Sequence, residues 1–198
     1  MRSDPRFDRK LSWPFVLVGL LIRLVPPWRF QRGAFDPAKV KKVLIFRPDR
    51  RVGNLVISSC LVESLQRHRP DIQVDFLAPH GREELVNTLP GITRVYSFRQ
   101  RDALLRPWRH WLLMARIRAE GYDVAIDASH WHSFSFTAAS LARMSGAPVT
   151  IGHNRGAAWA FHSHPVDVPM PPDGGWPREV DAKVSLLQPL GIEESVPR

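Results

Sequence analysis

The densest chemistry in the chain lies in Arg47-Pro48-Asp49-Arg50-Arg51-Val52-Gly53-Asn54. The guanidinium groups of Arg47, Arg50 and Arg51 grip phosphate or carboxylate through paired N–H donors. Asp49 is a carboxylate able to accept a proton, and Gly53 reads as a turn glycine. Asn54 either caps a following helix or hydrogen-bonds a ligand hydroxyl. A second set is Ser129-His130-Trp131-His132-Ser133, whose hydroxyls and imidazoles suit a polyhydroxylated ligand. Its indole either stacks on a ring or packs inside. Asp127, just before it, is a further candidate base or a tie for the loop. A third set, Arg99, Arg101, Arg106 and Arg109, is opposed locally only by Asp102. It is either an anion-binding surface or a solvated helix face. His130 and His132 alone are too sparse for a metal centre, and no metal is expected.

These residues need elements to hold them at one place. Val43-Leu44-Ile45-Phe46 is an apolar run that reads as a first strand, and residues 55–68 follow with helical spacing until Pro70. The alternation continues with strands at 72–77, 94–98, 123–127 and 148–152, and a sixth at 165–168. Helices are expected at 82–89, 102–120, 133–144 and 178–187. In the long one, Leu104, Leu105, Trp108, Leu112, Leu113 and Ile117 are read as lying on one side. Strands alternating with helices predict a parallel sheet covered on both faces, a Rossmann-like three-layer α/β domain. In such sheets ligands bind outside the carboxyl ends of the strands, where the first two residue sets would sit.

The length of 198 residues and an apolar share of 44% suit one globular domain. One cysteine, Cys60, excludes an internal disulfide and reads as a small core residue. The first loop holds only Gly53, so neither a Gly-x-Gly-x-x-Gly cradle nor a Walker lysine loop is present, and nicotinamide chemistry is disfavoured. The net charge of +9, mostly arginine, fits anionic partners: nucleic acid, anionic lipid or phosphorylated sugar. Signatures of the common nucleic-acid modules are missing, so no nucleic acid is expected. Residues 1–40 form a basic and apolar extension. Within it, residues 13–22 are too short to span a bilayer, which needs about 20. Flanking tryptophans and arginines suit a helix lying in the membrane interface, with packing on the protein's own core as the alternative. Residues 31–42 read as a linker into the domain at 41–198.

The order of these segments resembles a known family. The first loop with its strand, Pro-Asp-Ile-Gln-Val-Asp-Phe-Leu at 70–77 and Gly-Ile-Thr-Arg-Val-Tyr-Ser-Phe at 91–98 come first. Tyr-Asp-Val-Ala-Ile-Asp at 122–127, Ser-Gly-Ala-Pro-Val-Thr-Ile-Gly-His at 145–153 and Glu-Val-Asp-Ala-Lys-Val-Ser-Leu-Leu-Gln-Pro-Leu-Gly-Ile at 179–192 follow. Together they are similar to the N-terminal half of glycosyltransferase family 9, the heptosyltransferases of lipopolysaccharide assembly. The resemblance implies a two-domain GT-B enzyme whose N-terminal half holds the acceptor, an anionic lipid-linked saccharide. The other half would hold a nucleotide-sugar donor such as ADP-heptose, a substrate and not a cofactor; no cofactor is expected. It further implies inverting transfer, peripheral to the inner membrane on its cytoplasmic side, with a donor domain outside this chain. In the family's loop an aspartate, the proposed base, follows the glycine; here that residue is Asn54, leaving Asp49 or Asp127 as substitutes. Arg47, Arg50, Arg51, Gly53, Arg99, Arg101, Arg106, Arg109, Ser129, His130 and His132 are the expected acceptor-binding residues. Without a base or a donor half, the chain would instead be an inactive glycolipid-binding module.

Overall fold

Six strands form the centre: β1 (Lys42–Phe46), β2 (Gln73–Pro79), β3 (Arg94–Phe98), β4 (Val124–Asp127), β5 (Val149–His153) and β6 (His164–Val166); β1, β2, β4 and β5 are buried on both faces, and the edge strands β3 and β6 are partly exposed. All neighbouring pairs are parallel, in the order β3-β2-β1-β4-β5-β6. The computed structural model describes residues 32–171 and 174–193. The expected interfacial segment at 11–28 lies outside them. Among the described residues no helix is long and apolar enough to cross a membrane.

Period-2 alternation in β1 supplies both layers. Val43 and Ile45 pack with α1 (Val52–Ile57), α2 (Ser59–His68), α3 (Glu83–Asn87) and with Leu186 and Leu187, which directly follow α8 (Glu179–Ser185). Leu44 and Phe46 face the other way, onto α5 (Pro107–Ala119) and α6 (Phe136–Met144). Two short helices, α4 (Asp102–Leu105) and α7 (Ala158–Phe161), and 3-10 turns at Pro37–Lys39 and Gln188–Leu190 complete the described residues. Sheet order reverses between β1 and β4, so the loops after these two strands diverge and leave a crevice at their carboxyl ends. The layered, doubly wound architecture matches the sequence expectation.

Several local differences have identifiable causes. The helix expected from residue 55 begins at Val52 and breaks at Ser58. There the Ser58 hydroxyl donates to Asn54 O at 2.7 Å, and the Ser59 hydroxyl to Val56 O at 2.7 Å. Such back-bonding competes with the helical ladder. Asn54 is therefore inside the first turn and is not the cap, a place taken by Arg51. The expected helix over 102–120 divides where Pro107, suited to a helix start, opens α5. Gly121, with φ +67°, stops it. The segment read as a linker is docked. His164 Nε2 lies 2.8 Å from Gly33 O, Phe35 packs edge-on against the His164 ring, and Arg69 donates to Pro37 O and Val40 O. Helix α7 was not expected; it is only four residues of Ala, Trp and Phe.

Gly152 in β5 marks the tightest approach. A Cβ there would lie 2.3 Å from His162 Nε2. The ring cannot retreat easily, because it is buried and Nε2 faces Asp127 Oδ2 at 3.3 Å. Gly152→Ala is therefore expected to destabilise the fold by about 1–3 kcal/mol, the usual range for overpacking. Urea unfolding measures this directly, and unchanged stability would mean that the His162 ring yields freely.

Candidate functional site in the β1–β4 crevice

A buried arginine organises the crevice. Arg47 directly follows β1, and its amide extends the ladder by donating to Leu77 O at 3.1 Å. Its side chain, 1% exposed, runs beneath the loop. There Nη1 donates to Ala128 O, Nη2 approaches His130 Nε2 at 3.2 Å, and Nε lies 2.6 Å from Asp49 Oδ2. Burial lowers the Arg47 pKa, opposed by Asp49, Asp127 and Glu179. The group remains a cation, because arginine starts so high.

Asp49 is turned inward by two hydrogen-bond donors and the Arg47 charge. Its Oδ1 accepts from Arg51 N at 3.0 Å and from Asn54 Nδ2 at 3.0 Å, while Oδ2 faces Arg47. Its side chain is 35% exposed, so the carboxylate still reaches the crevice mouth. Asn54 Nδ2 also lies 3.1 Å from His130 Nε2. His130 Nε2 thus meets two donors, the Arg47 guanidinium and the Asn54 amide, and must be the ring's acceptor. The proton then sits on Nδ1, 3.4 Å from Glu179 Oε1. Burial, then the Arg47 charge, lowers the His130 pKa, in keeping with a neutral ring.

Helix α8 closes one side. Glu179 and Lys183 are one turn apart, with Oε2 and Nζ separated by 3.6 Å. Lys183 is 1% exposed, and Nζ donates to Ser129 O. Burial and the Arg47 charge push its pKa down to about 8. Both buried cations thus hold successive carbonyls of the β4 loop. Behind them, burial pushes the Asp127 carboxyl up, but His162 and the Ser129 amide outweigh it and hold its pKa below the usual range. Its Oδ1 accepts from Ser129 N at 2.9 Å, so Asp127 ties the loop from inside the protein. His153 is also buried, with neither ring nitrogen hydrogen-bonded. Burial and Lys183 depress its pKa to about 3.

The structure divides the expected residues into two groups. Arg47, Asp49, Asn54, Ser129 and His130 converge in the crevice, with His132 Nδ1 3.7 Å from Glu179 Oε1. Arg50, Arg51 and Gly53 lie exposed on its rim. Arg99 and Arg109 instead line a separate cleft of about 370 Å³ at the carboxyl end of β3, with His80, Asp102, His110 and Arg116. Arg101 and Arg106 are exposed beside it. Trp131 is 6% exposed and packs, whereas Trp176, 80% exposed, leans on it at 5.5 Å between ring centroids. Sequence reasoning missed Glu179, Lys183, His153 and Trp176. A Glu-x-x-x-Lys pair one helical turn apart was the available signal for the first two. Cys60 is partly buried, and burial raises its thiol to about 11, as befits an inert packing residue. His130, His132 and Glu179 bring ligand-type atoms within 4.8 Å of one another. The proton on His130 Nδ1 occupies the direction a metal would need, and Arg47 and Lys183 add two cations nearby, so the donor set as arranged does not suit one.

A six-stranded parallel sheet with its polar residues gathered at the β1–β4 switch point is the Rossmann-like architecture found in GT-B glycosyltransferases. The chain is 25% identical over 149 residues to lipopolysaccharide heptosyltransferase 3 of Escherichia coli, a match covering 73% of this chain and 42% of that protein. The solved structure of Escherichia coli heptosyltransferase WaaC with ADP-2-deoxy-2-fluoro heptose superposes with a TM-score of 0.66 at 17% identity, over 79% of this chain and 50% of that one. A glycosyl transferase family 9 protein from Veillonella parvula DSM 2008 superposes at 0.62 and 14% identity, over 84% and 44%. No family model matches the chain. The chain is thus homologous to heptosyltransferases, as its motifs suggested, and spans about half the length of the relatives it matches.

The buried imidazole has a measurable consequence. His153 stays neutral in the folded protein down to about pH 3, whereas an exposed imidazole protonates near pH 6.5. Between these values the unfolded chain binds the extra proton, so this contribution is full above about pH 6.5 and is lost as pH falls. The expected slope approaches about 1.4 kcal/mol per pH unit within that window. Urea titrations at about pH 7, 5.5 and 4.5 should show it, and His153→Gln should flatten it. An identical slope in parent and variant would remove His153 as its source.

Proposed function

We propose that this chain is the acceptor-binding half of a heptosyltransferase-like glycosyltransferase, acting in lipopolysaccharide or related envelope-glycan synthesis. Its acceptor is an anionic lipid-linked saccharide. Its donor is a nucleotide sugar such as ADP-heptose, held by a donor domain beyond residues 41–198. The site is peripheral to the inner membrane, on the cytoplasmic side. The homology to heptosyltransferases supports the reaction class. The observation that carries the site is the Asp49 carboxylate, fixed at the mouth of the crevice by Arg47, Arg51 N and Asn54.

In this reading the acceptor hydroxyl attacks the anomeric carbon opposite the leaving diphosphate, and Asp49 accepts its proton. Asn54 is a positioning residue that joins Asp49 to His130. His130 is not the base, because its lone pair already meets two donors. Arg47 is likewise a positioning residue, since its side chain is enclosed. The exposed Arg50 and Arg51 take the acceptor's phosphate or carboxylate groups. Asp127 is closed off from a hydroxyl by its contacts with Ser129 and His162.

One observation favours a second reading, a glycolipid-binding module without transfer: the amide of Asn54 stands where the family's proposed base is expected. The two readings separate on Asp49→Asn, assayed in the complete transferase or with this chain supplemented by its donor-binding half. A general base contributes about 10²–10⁴-fold, so kcat should fall by that factor with KM little changed. Unaltered kcat would remove Asp49 from the chemistry. Absence of any transfer, with glycolipid binding retained, would establish the binding module.

A further inference from the structure

Helix α5 is apolar on two opposite faces. Met114 and Ile117 are buried against the sheet with Leu113 beside them. About 160° away around the helix, Trp108, Trp111, Leu112 and Ala115 form an outward stripe. Trp108, Trp111 and Leu112 are 59%, 60% and 58% exposed, and Leu105 at the end of α4 is 71% exposed. A helix apolar on both faces is normally buried on both. Large contiguous apolar patches on a surface mark binding sites. The rim of this patch is basic: Arg101, Arg106, Arg109 and Arg116 are all exposed, and Asp102, 3.9 Å from Arg109, is the local carboxylate.

We infer that the outer face of α5 is a docking surface for the anionic face of a lipid bilayer. Charge selects this occupant. The chain's own apolar segment at 13–22 is flanked by Arg6, Arg9, Lys10, Arg23 and Arg29, so it carries the same sign as the rim. A second copy of the chain brings the same arginines. An anionic bilayer supplies the opposite charge together with an apolar interior. Indoles favour the boundary between headgroup and acyl layers, and arginines beside an apolar stripe favour anionic lipid. Leu112 links the two parts of the surface, lining both the apolar stripe and the cleft that holds Arg99, Arg109 and Arg116. With the indoles in the bilayer, that cleft faces the headgroup layer, and its guanidinium groups take headgroup phosphate. The inference deepens the proposed function, because it rests on an acceptor anchored in a membrane, and it assigns the surface that meets that membrane.

The test is flotation of the full chain with phosphatidylcholine vesicles and with vesicles carrying about a third phosphatidylglycerol. The parent should float with the anionic vesicles only, less so at high salt. Trp108→Ser with Trp111→Ser should lower vesicle partitioning by at least about tenfold. Arg106→Glu should weaken it in low salt, and Trp108→Phe with Trp111→Phe should retain most of it. Because these side chains are exposed, the variants should keep the parent's thermal unfolding. If the parent binds and the double serine variant binds equally, the assignment of α5 is overturned while membrane association stands. If the parent floats with neither vesicle, both fall. If the serine variant instead changes self-association in sedimentation without lipid, the face is a contact between copies and the inference is wrong.

Discussion

The enclosed guanidinium of Arg47 is the contact on which the crevice depends. Removing such a cation from water is costly, by several kcal/mol even after relaxation. Only well-placed acceptors offset that. Arg47 has the Ala128 carbonyl, the Asp49 carboxylate and the lone pair of His130. These lie on two loops from adjacent strands, so satisfying one side chain fixes both loops. The same contact decides the His130 tautomer, which in turn directs Nδ1–H at Glu179 on α8. Lys183, a second buried cation, repeats the device one carbonyl further along at Ser129. Two like charges on one short loop are tolerated because Glu179 and Asp127 lie close enough to oppose both.

The layered fold was legible because the four central strands are buried on both sides. Runs such as Val43-Leu44-Ile45-Phe46 and Val124-Ala125-Ile126-Asp127 have little use except in a covered parallel sheet. The boundaries were less legible for a local reason. At Ser58 and Ser59 two hydroxyls compete for helix carbonyls, an effect that apolar spacing does not register. Helix α5 misled the reading differently. Its apolar residues are too many for one face, and spacing alone grouped Trp108 and Leu112, with Leu105 before them, on one side with Ile117, where the structure leaves the first three exposed and buries Ile117. The composition of that helix was informative; the direction of its faces depends on Met114 and Ile117 filling the space above Leu44 and Phe46.

The site was legible as a set of loops but not as a set of contacts. Residues after β1 and after β4 were expected to share a cleft, and they meet there. What sequence did not convey is which arginines are free. Arg47 and Arg51 look alike in the loop, yet one is enclosed and the other exposed, because only Arg47 directly extends the ladder of β1 toward β2. The arginines after β3 are two strands away, on the order of 10 Å at the usual strand spacing, and they belong to a cleft of their own. Glu179 and Lys183 were hidden by distance along the chain, although their i,i+4 spacing places both on one side of α8.

The amide at Asn54 also follows from the same geometry. Asn54 Nδ2 lies 3.0 Å from Asp49 Oδ1. A carboxylate at position 54 would stand against a second carboxylate at hydrogen-bond distance, and two such groups cannot both ionise. It would also present an acceptor to His130 Nε2, which already serves as the acceptor for Arg47. The amide resolves both conflicts by donating to each neighbour with a different hydrogen. An inward Asp49 and an amide at 54 therefore require one another. Asp49 thus lies five positions upstream of residue 54 in sequence, yet within one hydrogen bond of it.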